Sequence, residues 1–100
     1  MVAIETYTVT HFSHHPYAAQ INCFDVNKKH VGTVTFYADD VALPPNAAAS
    51  PPIINFAVSR LAEVIGTLRY EKPVEFSFNP ANLIGSVGTS GLEAVGEQEG

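Results

Sequence analysis

Cysteine is nearly absent. The single Cys23 has no partner for an intramolecular disulfide, which fits a reduced, cytoplasmic setting. Tryptophan is missing, and Asp, Glu, Lys and Arg together make only 15% of the chain. So little charge beside 46% hydrophobic residues excludes a disordered polymer. Basic residues are scarcest, five against ten acidic ones, and the formal charge of −5 disfavours polyanionic partners. No apolar run approaches the ~20 residues of a transmembrane helix. Met1-Val2-Ala3 leads into a polar strand pattern without the basic start and apolar stretch of a secretory signal. Internal repeats are lacking too. What remains is a single domain over residues 1–100, small enough that oligomerisation would reinforce its core.

Three strands are expected first. Ala3 to Phe12 is rich in Thr, Val and Tyr, which suit a pleated, half-buried surface. His14-His15-Pro16 reads as a turn, Tyr17 to Asp25 as the second strand, Val26 to Lys29 as a hairpin loop and His30 to Ala38 as the third strand. Asp39 to Pro52 has neither helical nor strand period and reads as a long loop. Ser50-Pro51-Pro52 resembles a helix start. Behind it, Ile54, Val58, Leu61, Ile65 and Leu68 recur at helical spacing, and Ile53, Phe56, Ala57 and Val64 widen that apolar face. The spacing predicts a helix ending near Tyr70, before Pro73. Val74 to Phe78 and Leu83 to Thr89 complete two more strands, with an exposed tail over 91–100. The expected fold is α+β, a curved antiparallel sheet in βββ-α-ββ order packed on one helix.

Register carries further information. Pairing across the Val26–Lys29 loop puts Ala19, Ile21 and Cys23 on the same face as Gly32, Val34 and Phe36, and Tyr7, Val9 and His11 match them on strand one. The opposite face is then Thr6, Thr8, Thr10, Gln20, Asn22, Thr33 and Thr35, polar and without a single Lys or Arg, with Phe12, Phe24 and Tyr37 at its margins.

In the second half, Glu71-Lys72-Pro73-Val74, the Phe76/Phe78 strand and the closing Gly88-Thr89-Ser90-Gly91-Leu92-Glu93-Ala94-Val95-Gly96-Glu97 resemble a group of small uncharacterised bacterial proteins with a similar "TS…EPVGE" ending. Ala94 stands where that pattern has proline, and Leu92 also departs from it. The resemblance implies a fold similar to the single-stranded-DNA-binding transcriptional regulators of the Whirly and transcriptional-coactivator type, often dimeric. It implies no activity, because function belongs to sites rather than folds.

Candidate sites are few. His11, His14 and His15 could set imidazoles near one metal, but no cysteine or carboxylate accompanies them. His30 lies at the other end of the hairpin, roughly 25 Å away at ~3.3 Å per residue. Cys23 falls on the apolar face, where a thiol behaves as a small hydrophobe. Asp39-Asp40 reads as a strand-to-loop junction. Gly85 to Gly91 lacks the lysine of a phosphate loop and reads as a bulge or close backbone approach. Lys28, Lys29, Arg60, Arg69 and Lys72 form no stripe.

These readings favour a non-catalytic, homo-oligomeric interaction module, a homodimer without cofactor. Its expected interface residues are Ile53, Phe56 and Val64 from the helix's extra face and Tyr37 from the sheet margin. The competing reading is a single-stranded nucleic-acid binder by fold analogy, opposed by the charge and by the uncharged sheet face.

Overall fold

Alternating Thr, Val and Tyr residues build the first strands in the computed structural model of the chain, which describes residues 2–13, 16–71 and 73–89. In chain order these are β1 (Val2–Ile4), β2 (Thr6–His11), β3 (Tyr17–Phe24), β4 (His30–Tyr37) and β5 (Ile53–Ala57). A 3-10 turn (Val58–Arg60) leads into α1 (Leu61–Tyr70), followed by β6 (Val74–Asn79) and β7 (Ile84–Thr89). The class is α+β, mostly antiparallel, as the sequence suggests. The strands divide into a four-stranded sheet, β2-β3-β4-β5, and a three-stranded sheet, β1-β6-β7.

The register of the larger sheet follows the hydrophobic pattern. Tyr7 pairs with Cys23, Val9 with Ile21 and His11 with Ala19. Ala19 then pairs with Phe36, Ile21 with Val34 and Cys23 with Gly32, with bulges near Ala18 and at the Cys23/Phe24 end. The side-chain period of a strand is two, so a slip by one residue would turn this whole apolar set outward. Asp25 fixes the β3–β4 loop by accepting the N–H groups of Asn27 (2.8 Å) and Lys29 (2.9 Å), while Lys28 takes a left-handed φ of 64°.

Two expectations fail. The first strand is broken at Glu5, whose N–H donates to the Phe24 carbonyl at 2.8 Å. The chain thereby leaves one sheet for the other between Ile4 and Thr6. The helix is also shorter than its periodicity suggests. Ile53 to Ala57 is a strand, running parallel to β4 with Ile54 opposite Val34 and Phe56 opposite Phe36. β-Branched and aromatic residues favour that extended state, and the period there is two: Ile54 is 1% exposed, whereas Ile53 and Asn55 turn to the other face. Ser50 is no helix cap. The Ser50–Pro51 peptide is cis, and the Pro52 carbonyl accepts the Thr33 N–H at 3.0 Å. Asp39 instead accepts the Ser59 N–H at 3.3 Å at the entry turn, and Arg60, the N-cap residue of α1, makes no side-chain cap bond. It ends where Glu71 becomes extended, its N–H still bonded to the Thr67 carbonyl at 3.1 Å.

The core lies between the two sheets and under α1. Ala19, Ile21, Cys23, Val34, Phe36, Ile54, Val64 and Phe76 form one buried cluster, with Leu61, Ile65 and Leu68 of the helix packed against it. Fully burying a Phe, Ile or Val contributes about 1.5–3 kcal/mol. Two glycines set the spacing of the layers. The Phe76 ring fills the space where Gly32 would carry a Cβ, and a Cβ on Gly85 would meet the Ile54 side chain at 2.5 Å.

Candidate functional site

The outer face of the larger sheet carries Thr6, Thr8 and Thr10, then Gln20 and Asn22, then Thr33 and Thr35, as the register requires. Its accessibility is uneven. Thr33 and Thr35 are 6% and 3% exposed, while all three β2 threonines are exposed. Gln20 and Asn22 are half-buried, so the most exposed polar side chains of this face are the threonines of β2.

Thr33 belongs to a side-chain relay. Its hydroxyl donates to Asn22 Oδ1 (3.1 Å), and His30 Nε2 lies 2.9 Å from that hydroxyl and 3.1 Å from the Gly32 carbonyl. A carbonyl only accepts, so Nε2 carries a proton in this contact. His30 is also tilted against Phe24 at 5.3 Å. At the opposite end, Tyr17 stands edge-on to both Phe12 (5.3 Å) and Tyr37 (5.7 Å). These contacts rigidify the two ends of the sheet.

The four-stranded sheet has two edges, and they differ. Along β5, Ala47 and Ile53 exchange both backbone bonds, at 2.9 and 3.0 Å. Asn46 Oδ1 accepts the Asn55 N–H (2.7 Å), and Asn46 Nδ2 donates to the Leu83 carbonyl (3.0 Å). Asn55 Nδ2 reaches the Pro44 (3.2 Å) and Pro45 (3.0 Å) carbonyls. The long loop is therefore a brace that covers this edge. Along β2, no described segment pairs on the side away from β3.

The ladder identifies the bare groups. The Phe12 N–H donates to the Ala18 carbonyl at 2.9 Å. Antiparallel strands alternate between hydrogen-bonded and non-hydrogen-bonded pairs, so Thr6, Thr8 and Thr10 also bond across to β3. Tyr7, Val9 and His11 then direct their N–H and C=O groups away from the sheet. The same phase sends Thr33 toward β5, where its N–H is found on Pro52. Natural edges are commonly blunted by lysine, proline or an inward charge, and Thr6 to His11 contains none of these.

The other sequence candidates are dispersed. His11 is exposed at the end of β2, while His14 and His15 lie outside the described residues. Among the described residues no three His, Cys, Asp or Glu side chains gather as a metal site. Cys23 is wholly buried, and burial pushes its thiol up to about 12, which removes the thiolate that nucleophilic chemistry needs. Gly85 is a close approach, whereas Gly88 meets nothing within 4 Å.

The four expected interface residues all make contacts within the chain, and only Val64 is buried. Phe56 stacks on Phe36 at 6.0 Å with the Arg60 guanidinium 5.5 Å above its ring, Ile53 bridges to Ala47, and Tyr37 meets Tyr17. Val64 is 7% exposed within the core. The extra helical face that motivated them does not exist, because Ile53 and Phe56 sit on a strand. The bare edge that sequence reasoning missed left one trace: no Asp, Glu, Lys or Arg occurs between Thr6 and Phe24.

Surface hollows are open and modest. One of about 330 Å³ lies between Val2, His30 and Pro51, and one of about 260 Å³ beside β2 is lined by Thr6, Tyr7, Thr8, Phe24 and Lys28. No helix among the described residues is long and apolar enough to cross a membrane. No family model, curated protein or solved structure matches the chain.

Proposed function

We propose that this chain is a non-catalytic interaction module that works by accepting an added β-strand along β2. The observation that supports this is the row of outward N–H and C=O groups on Tyr7, Val9 and His11, set in an uncharged strand with exposed threonines on one side. In strand addition, main-chain bonds supply affinity and alternate side chains supply selectivity. A partner strand would continue the existing alternation, polar on the outer face and apolar on the inner one. The hollow at Thr6, Tyr7 and Phe24 leaves room for a side chain of that strand.

The test is backbone amide exchange with and without a blocked Thr-Val-Thr-Val-Thr peptide. Protection gained at Tyr7, Val9 and His11, with Thr8 and Thr10 unchanged, is the expected result. If those three amides stay unprotected both with the peptide and as the chain's own concentration rises, strand addition is refuted.

The competing nucleic-acid reading needs stacked bases and cations along a backbone path. The outer face offers half-buried rings at its two ends and no Lys or Arg among its residues. Fluorescence anisotropy with labelled single strands should show no binding at ~150 mM salt, where residual phosphate contacts are screened. Binding that survives this salt would favour the nucleic-acid reading.

A further inference from the structure

We infer that the strand which occupies β2 is β2 of a second copy of this chain, antiparallel about a two-fold axis through Val9. This inference rests on the strand-addition reading and names its partner.

Hydrogen-bond phase sets the first constraint. An added antiparallel strand must place its own outward residues opposite Tyr7, Val9 and His11. β2 meets that condition with itself. With the axis at Val9, Val9 faces Val9 of the partner, Tyr7 faces the partner's His11, and all three outward positions are used on both strands. That arrangement makes roughly six N–H···O=C bonds, two for each hydrogen-bonded pair. An axis one residue earlier, at Thr8, would leave His11 without an outward counterpart inside β2.

Side-chain chemistry agrees. In this register Thr8 lies beside the partner's Thr10 on the outer face, and Val9 lies on Val9 on the inner face. Cross-strand Thr–Thr and β-branched pairs are each favourable by a few tenths to ~1 kcal/mol. The polar and apolar faces of the two sheets then run on without a break.

Charge selects a second copy over an acidic or basic partner. Two chains of formal charge −5 repel, and they approach best where neither carries charge. The segment from Thr6 to Phe24, which forms β2 and β3, holds no Asp, Glu, Lys or Arg. A partner selected by charge would find nothing on β2 to recognise. The chain's other edges are less suited: β1 has three residues, β7 lies beside α1, and β5 is covered by the Pro44–Ala47 segment.

The test pairs sedimentation with charge variants. Thr8 and Thr10 are exposed, so T8K/T10K and T8E/T10E keep the fold while placing like charges opposite each other across the axis. Wild type should dimerise as its concentration rises. Each variant alone should dissociate at least about tenfold more readily, and the two mixed should restore a 1:1 dimer. Wild-type amide exchange needs no variant: Tyr7, Val9 and His11 should gain protection with concentration. Four outcomes overturn the inference. Dimerisation of both variants at wild-type strength would place the contact elsewhere. A monomer whose three amides are protected at every concentration would place a segment of the same chain on β2. A monomer whose amides are protected only by the Thr-Val peptide would leave strand addition standing and remove the second copy. If neither peptide nor concentration protects them, both readings fall.

Discussion

The two edges of the four-stranded sheet show how differently one protein treats equivalent positions. β5 is enclosed by the Pro44–Ala47 segment, and the asparagines at 46 and 55 hold that segment with bonds of 2.7 to 3.2 Å. β2 has no such cover among the described residues. Both edges carry the same backbone donors and acceptors, so the difference lies in what the sequence assigns to cover them. Prolines and two amides suffice at β5. At β2 the residues are threonine, tyrosine, valine and a terminal histidine, most of which favour a strand, and none is a proline or a lysine.

This contrast can be broken from the covered side. Ile54 anchors β5 in the core, so Ile54→Ala should cost about 2–5 kcal/mol in urea unfolding through the cavity it leaves. A change below 1 kcal/mol, roughly the cost of a surface substitution, would mean that β5 is not held by that contact. Asn55→Ala removes both bonds to the proline carbonyls, with an expected loss of about 1–3 kcal/mol. Amide exchange should then quicken at Ile53 and Asn55 but not along β2. Equal quickening at both edges would show that the brace acts on the whole sheet.

Cys23, on the strand that pairs with β2, gives a smaller effect that depends on pH. Its folded-state thiol is raised from 9.0 to about 12, so between these values the unfolded chain releases its proton first. The Cys23 contribution is complete below pH 9 and is lost as pH rises through about 12. Melting curves of wild type should therefore fall more steeply across that window than those of Cys23→Ala, and parallel curves would contradict the burial argument. The smallest effect concerns the β3–β4 loop. Lys28 holds a φ of 64°, so Lys28→Gly should raise stability by up to about 1 kcal/mol in urea unfolding. A loss of stability would mean that the lysine side chain contributes more than its backbone costs.

Much of the larger sheet was legible because its information is local. Ala19, Ile21 and Cys23 could face Gly32, Val34 and Phe36 in one register only if an apolar face was to be buried, and that register is observed. The Ile53–Ala57 segment was misread for an equally physical reason. Ile54, Val58, Leu61, Ile65 and Leu68 keep helical spacing across a junction between a strand and a helix, and a short apolar run does not reveal which state it adopts. Its parallel pairing with β4 depends on residues far away in the chain. The burial of Thr33 and Thr35 was hidden as well, because it follows from their central place in the sheet. The bare edge of β2 was illegible for the same reason. Strand order decides which strand lies outermost, and composition showed only that this stretch lacks charge.

The brace over β5 has a consequence for how far assembly can go. A sheet with both flanks open could recruit copies on either side and lengthen into a filament. Here the Pro44–Ala47 segment caps one flank. Were strands added at β2, growth through the larger sheet would stop after a single addition, and the loop between β4 and β5 would then serve as a chain terminator for polymerisation.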